Sequence, residues 1–159
     1  MNFLRFVTAP KKSGETFELA TDIKEKKTRD KFLRNNWRFH SPHDLSADYW
    51  LYRDYIQRSK GEFTVAKDQY VRLNTGWFSD RSVCYLAAGR PVIIQETGFT
   101  EHYGNAGGLF AFSSLAEIID AVKMINADYT KHSRAARRLS REVFEARTVL
   151  KSLLDRAGV

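Results

Sequence analysis

Two kinds of hydrophobic pattern take turns along this chain. Short apolar runs read as strands: Phe17-Glu-Leu-Ala-Thr21 alternates, Trp37-Arg-Phe39 follows it, Glu62-Phe-Thr-Val-Ala66 alternates again, and Val92-Ile-Ile94 and Leu109-Phe-Ala-Phe112 are continuous. Alternation suits a half-buried strand, and an unbroken β-branched run suits a parallel strand buried on both faces. Between them lie stretches with helical spacing. Residues 23–35 place Ile23, Phe32 and Leu33 inward behind an Asp22/Glu25 capping box. Residues 47–59, capped by Ser46, place Trp50, Leu51, Tyr55 and Ile56 inward. Ser79 or Asp80 opens a helix through Ala88, which Gly89 stops and Pro91 forbids from continuing. Ser114 and Glu117 form a capping box before Leu115, Ile118, Ile119, Val122 and Ile125, and residues 127–157 read as helix in two pieces. Residues 2–8 suggest a short helix end before a Pro10–Gly14 turn, and 40–45 and 97–108 read as loops.

Strands alternating with helices of this length predict an α/β fold: a Rossmann-like three-layer sandwich around a mostly parallel sheet. The length of 159 residues suits a single domain spanning 1–159, divided into an N-terminal helix and strand part (1–60), a central part (61–112) and C-terminal helices (113–159). With 43% hydrophobic residues, nine Gly and three Pro, the composition is that of a folded chain.

Charge narrows the function classes. The net +7 is uneven: residues 1–60 hold 13 basic and 8 acidic side chains, residues 61–112 hold 4 and 5, and residues 113–159 hold 9 and 6. The excess therefore lies on flanking helical stretches, where basic residues alternate with acids as in Lys24-Glu25-Lys26-Lys27. That pattern suits solvated helix faces and argues against a nucleic-acid reading surface. One cysteine, Cys84, excludes an internal disulfide, and its place beside Val83 and Leu86 predicts a buried, inert thiol. His40, His43, His102 and His132 show no metal-ligand spacing. No secretion signal or membrane span is visible, so the expected compartment is the cytoplasm.

In open parallel sheets, ligands bind beyond the carboxyl ends of the strands. Two loops qualify. Thr75-Gly-Trp-Phe-Ser-Asp-Arg-Ser82 runs into a helix N-terminus, whose free N–H groups and dipole attract an anion; Gly76 admits close approach, Ser79 and Ser82 carry hydroxyls, and Arg81 offers a bidentate contact. Lys67 points to the same rim. The alternative is that Ser79 only caps the helix while Trp77 and Phe78 fill core. The second loop, Gln95-Glu-Thr-Gly-Phe-Thr100, presents a carboxylate that could accept bonds from sugar or ribose hydroxyls; the alternative is a plain surface turn. The chain has no GxGxxG, Walker, Gly-x-Ser-x-Gly or HExxH sequence.

The linked set Gly61-Glu-Phe-Thr-Val-Ala-Lys67, Gly76-Trp-Phe-Ser-Asp-Arg81, Tyr85-Leu-Ala-Ala-Gly-Arg-Pro-Val92, Thr97-Gly-Phe99 and Gly108-Leu-Phe-Ala-Phe112 resembles the C-terminal, donor-binding domain of bacterial GT-B-type glycosyltransferases, over about residues 50–150. The resemblance implies a partial domain of that fold binding a nucleoside diphosphate sugar without a bound metal or other cofactor. Gly76, Trp77, Phe78, Ser79, Asp80, Arg81, Ser82 and Lys67 would hold the diphosphate, and Glu96, Thr97, Gly98 and Phe99 the donor sugar. It also implies a separate acceptor-binding domain as partner, so the chain is expected to be a fragment or one part of a split enzyme, inactive alone. Where many relatives carry a ribose-binding carboxylate this chain has Cys84, with Asp80 one turn earlier as a substitute, and Glu96 stands where an aspartate is expected. The first strand of the domain and its glycine-rich loop are missing from the match. The alternative function is a non-catalytic interaction module derived from such a domain, and the edge this leaves predicts self-association as a homo-oligomer.

Overall fold

A computed structural model describes residues 2–104 and 107–158. After a 3-10 helix at Asn2–Phe6, the helices are α1 (Ala9–Ser13), α2 (Lys26–Leu33), α3 (Pro42–Ser46), α4 (Tyr49–Arg58), α5 (Asp68–Arg72), α6 (Asp80–Ala87), α7 (Thr100–Tyr103), α8 (Leu115–Ala127), α9 (Tyr129–Val143) and α10 (Ala146–Ala157). The strands are β1 (Phe17–Ala20), β2 (Trp37–His40), β3 (Glu62–Thr64), β4 (Val92–Gln95) and β5 (Leu109–Phe112). The α/β class and parallel pairing expected from the sequence are present. The strands form two separate sheets, β1-β2 and β3-β4-β5, every pair parallel.

The three-stranded sheet is covered on both faces. Ile93, Phe110 and Phe112 meet Ile118, Ala121, Val122 and Ile125 of α8, with Phe6 and Ala9 beside them. On the other face Val92, Ile94 and Leu109 meet Ile56, Tyr85, Leu86, Phe99, Ala136 and Leu139. All four β4 residues are buried, which is why that strand reads as an unbroken apolar run. The two-stranded sheet has its own core of Val7, Phe32 and Trp37, in which the Trp37 indole donates to the Val7 carbonyl at 2.7 Å.

Several caps differ from expectation. α2 begins at Lys26 after Glu25, with no side-chain cap, because the Glu25 carboxylate accepts the Thr28 hydroxyl at 2.7 Å; Asp22 stands outside the helix. The expected 40–45 loop contains α3, capped by Ser41, and Asp48 rather than Ser46 caps α4. The Pro10–Gly14 turn is the end of α1, closing on Gly14 at φ 76°. The expected 97–108 loop holds α7; its residues Asn105 and Ala106 lie outside the described residues. The Ser114/Glu117 capping box forms as expected.

Three inward assignments also fail. Leu33 is 48% exposed because it lies about 100° round the helix from the buried Phe32. Trp50 and Leu51 are exposed, since α4 buries Ile56 and turns those two away from the sheet.

Helix α9 passes close to the start of β5. A Cβ on Gly108 would lie 2.1 Å from the Ala136 backbone nitrogen, so α9 and the strand can meet only because that atom is missing. Gly108→Ala is expected to cost about 1–3 kcal/mol or more, as overpacking against rigid backbone does. Urea unfolding monitored by circular dichroism measures it, with an unchanged midpoint the contrary result.

Candidate functional site

The site grows from the carboxyl ends of β3 and β4. After β3 the chain passes through α5 and turns back at Asn74 (φ 48°) and Gly76 (φ 71°) before entering α6. After β4 it turns at Gly98 (φ 95°), whose missing Cβ would lie 2.8 Å from the Asn74 amide oxygen. The two loops are clasped together: the Gly76 amide donates to the Thr97 carbonyl at 2.7 Å, and the Thr97 hydroxyl donates to the Trp77 carbonyl at 2.6 Å. The tertiary structure thus unites the two sequence-predicted loops.

Individual side chains divide by role. Trp77 stacks on Tyr70, with centroids 5.1 Å apart, and Lys67 reaches over the same Tyr70 ring. Phe78 packs among Phe99, Tyr103 and Phe144, and Phe99 is fully buried in the core. Thr97 is buried in the clasp, and one Glu96 oxygen accepts from the Thr97 and Gly98 amides at 2.9 and 2.5 Å. Glu96 therefore shapes its own turn through one oxygen.

At the start of α6, Ser79 is the buried N-cap residue but makes no side-chain cap bond, which separates it from the simple capping role. Asp80 accepts from the Arg81 amide at 2.8 Å. Among the described residues, the amides of Asp80 and Ser82 have no hydrogen-bond partner, and the Ser82 hydroxyl is buried without one. These donors face the first turn of a helix, where the dipole favours negative charge.

Arg81 does not stand free. Its Nε donates to Glu62 Oε1 at 2.5 Å and its second terminal nitrogen donates to the Thr64 hydroxyl at 2.9 Å, while Thr64 donates to the same Glu62 oxygen at 2.7 Å. Burial works to lower the Arg81 pKa, but the Glu62 charge and hydrogen bond outweigh it and the net direction is up. The second Glu62 oxygen is buried and unpartnered. Tyr52 and Tyr85 adjoin this pair; burial raises both phenols, Tyr85 to about 12, so they are neutral donors at pH 7.

Glu62, Thr64, Tyr52 and Tyr85 were not singled out in the sequence. The available signal was a charged residue and a threonine at alternate positions of a strand otherwise apolar, which puts both on one face.

Cys84 is exposed, contrary to the expected buried thiol, because Leu86 and Tyr85 take the inward face of α6. Partial burial raises its pKa first, with the Asp80 and Glu62 charges adding to the effect. Among the described residues, no group of three or more His, Cys, Asp or Glu is placed to hold a metal, and no helix is long and apolar enough to cross a membrane.

Part of this arrangement borders a cleft of about 1180 Å³: Lys67, Trp77, Ser79, Asp80 and Arg81 line it, whereas Ser82 and the Glu96–Phe99 turn do not. No protein-family model, curated protein or solved structure matches the chain.

Arg81→Ala is expected to cost about 1–3 kcal/mol by stranding the buried Glu62 charge, less than for a fully buried pair because Arg81 is half exposed. Adding Glu62→Gln should return much of that loss, and denaturant unfolding of both single variants and the double variant measures the coupling. Additive costs would contradict the pairing.

Proposed function

We propose that the chain is a nucleotide-sugar-binding domain of the glycosyltransferase donor type, working in the cytoplasm beside a separate acceptor-binding domain and inactive alone. One observation carries this reading: Ser79, Asp80 and Arg81 line a large cleft at the first turn of α6, where the Asp80 amide is unpaired, and the buried Ser82 amide and hydroxyl behind them are unpaired as well. A diphosphate would pair with the Asp80 amide at this turn, with Lys67 as a point charge at the same rim. Arg81, already held by Glu62 and Thr64, positions the rim more than it neutralises the ligand. The exposed Asp80 carboxylate is the acceptor for ribose hydroxyls, and the remaining Glu96 oxygen the acceptor for a sugar hydroxyl. Transfer itself needs both substrates in register, which the acceptor domain would supply.

Calorimetric titration with UDP-, GDP- and TDP-sugars at low ionic strength tests the reading. Saturable heat with one of them is expected, and Lys67→Ala should weaken that binding about fivefold, the loss of one contact worth about 1 kcal/mol. Buffer-level heats for the whole panel would overturn it.

A second reading, an interaction or oligomerisation module, is favoured by the exposed Val149, Leu150, Leu153 and Leu154 of α10. These four fall on one side of the helix, which buries none of its residues. Light scattering is expected to show self-association that rises with concentration and disappears in a Leu150→Lys, Leu154→Lys variant. A monomer throughout the micromolar range would refute it.

A further inference from the structure

The two sheets face each other across the cleft, and the strands that face are β1 and β3. Every residue of both strands lines it, together with the flanking residues Glu15 and Val65. Each strand is paired on its far side only, β1 with β2 and β3 with β4, and among the described residues no backbone hydrogen bond joins β1 to β3.

The inward edges can be read from the alternation of a strand, in which successive residues present their N–H and C=O to opposite sides. The Phe17 and Thr21 amides donate to Asn36 and His40 on the β2 side, so those of Glu18 and Ala20 face the cleft. The Glu62 amide donates to Pro91 and that of Ala66 to the Gln95 side chain, both on the β4 side, so Phe63 and Val65 face the cleft from opposite. Each strand thus turns a row of unpaired peptide groups to the cleft. Side chains alone span the space: Glu15 pairs with Lys60 at 2.6 Å, Tyr55 donates to Glu18 at 3.3 Å, and the Phe17 and Phe63 rings lie 5.1 Å apart.

We infer that this cleft receives one extended segment of another polypeptide, hydrogen-bonded on both edges and joining the two sheets into one of six strands. The backbone pattern specifies the occupant more closely than an apolar groove would, since a helix or a small molecule satisfies neither row. The chemistry of the segment follows from its surroundings. Ile93, Val122 and Ile125 line the cleft, so its side chains toward that face are apolar. Where it passes between Phe17 and Phe63 it carries glycine or alanine, because those rings already touch. A second copy of this chain is a poor donor, since all five strands among the described residues are used in its own sheets. The inference is independent of the sugar-nucleotide reading, which concerns the α6 end of the cleft.

Hydrogen–deuterium exchange on the full chain tests it. The Glu18, Ala20, Phe63 and Val65 amides should exchange fast in the isolated protein. Addition of capped peptides with a Val-Gly-Val-Ile core between flanking lysines should then slow them by about tenfold or more. Versions N-methylated at alternate residues should have no effect. Ala20→Pro removes only a cleft-facing N–H, a substitution an edge strand tolerates, and should weaken peptide protection with the fold retained by circular dichroism.

Four results overturn the inference. Slow exchange of these amides in the monomer alone would mean that the strands pair directly. Protection that grows only with protein concentration would assign the cleft to a second copy. Equal protection by N-methylated peptides would exclude strand pairing, and no response to any peptide would exclude the segment.

Discussion

Pairing of β4 on both edges, with helices on both its faces, is the constraint from which the larger half of the molecule follows. A strand buried in this way leaves no backbone group for water, so its neighbours must run alongside it and satisfy the ladder. β3 and β5 do so in parallel register, Glu62 against Val92 and Val92 against Leu109. Parallel pairing requires a crossover between each pair, and those crossovers carry α6 back over one face. The loops that enter these crossovers necessarily gather at the carboxyl ends of the strands. Hence Gly76–Ser79 and Glu96–Gly98 touch, though twenty residues separate them.

That gathering also sets the electrostatics. Glu62 begins β3 on the face that α6 covers, and burial of its carboxylate is tolerable only with a cation beside it. Arg81, one residue into α6, reaches back to supply that charge and brings Thr64 into the network. The arginine that looks from sequence like an anion hook is thereby committed to a carboxylate nineteen residues away. The donors left unpaired at the turn are instead the Asp80 and Ser82 amides and the buried Ser82 hydroxyl.

The division into two sheets has a similar origin. β1 and β2 form their own small core around Trp37 and Phe32, with Phe17 and Phe63 as the bridge to the larger body. Aromatic contacts hold the parts together where peptide hydrogen bonds do not. The open edges in between are the least satisfied feature of the backbone, and they border the same cleft as the α6 turn.

The sequence by itself determined the order of the five strands, the parallel class, the buried β4 run, the Gly89 stop and the Ser114–Glu117 box, because each shows in the pattern of neighbouring residues. It also singled out the two loops that the structure clasps together. It misjudged Trp50, Leu51 and Leu33, whose apolar character says nothing about which side of a helix a sheet will occupy. It misjudged Cys84 for the same reason. Only the tertiary structure decided that Arg81 meets Glu62, that Gly108 must admit Ala136, that Phe99 serves the core, and that β1 and β3 stand apart. Each of those is a meeting of groups distant in sequence, set by how the layers stack, and no local pattern encodes it.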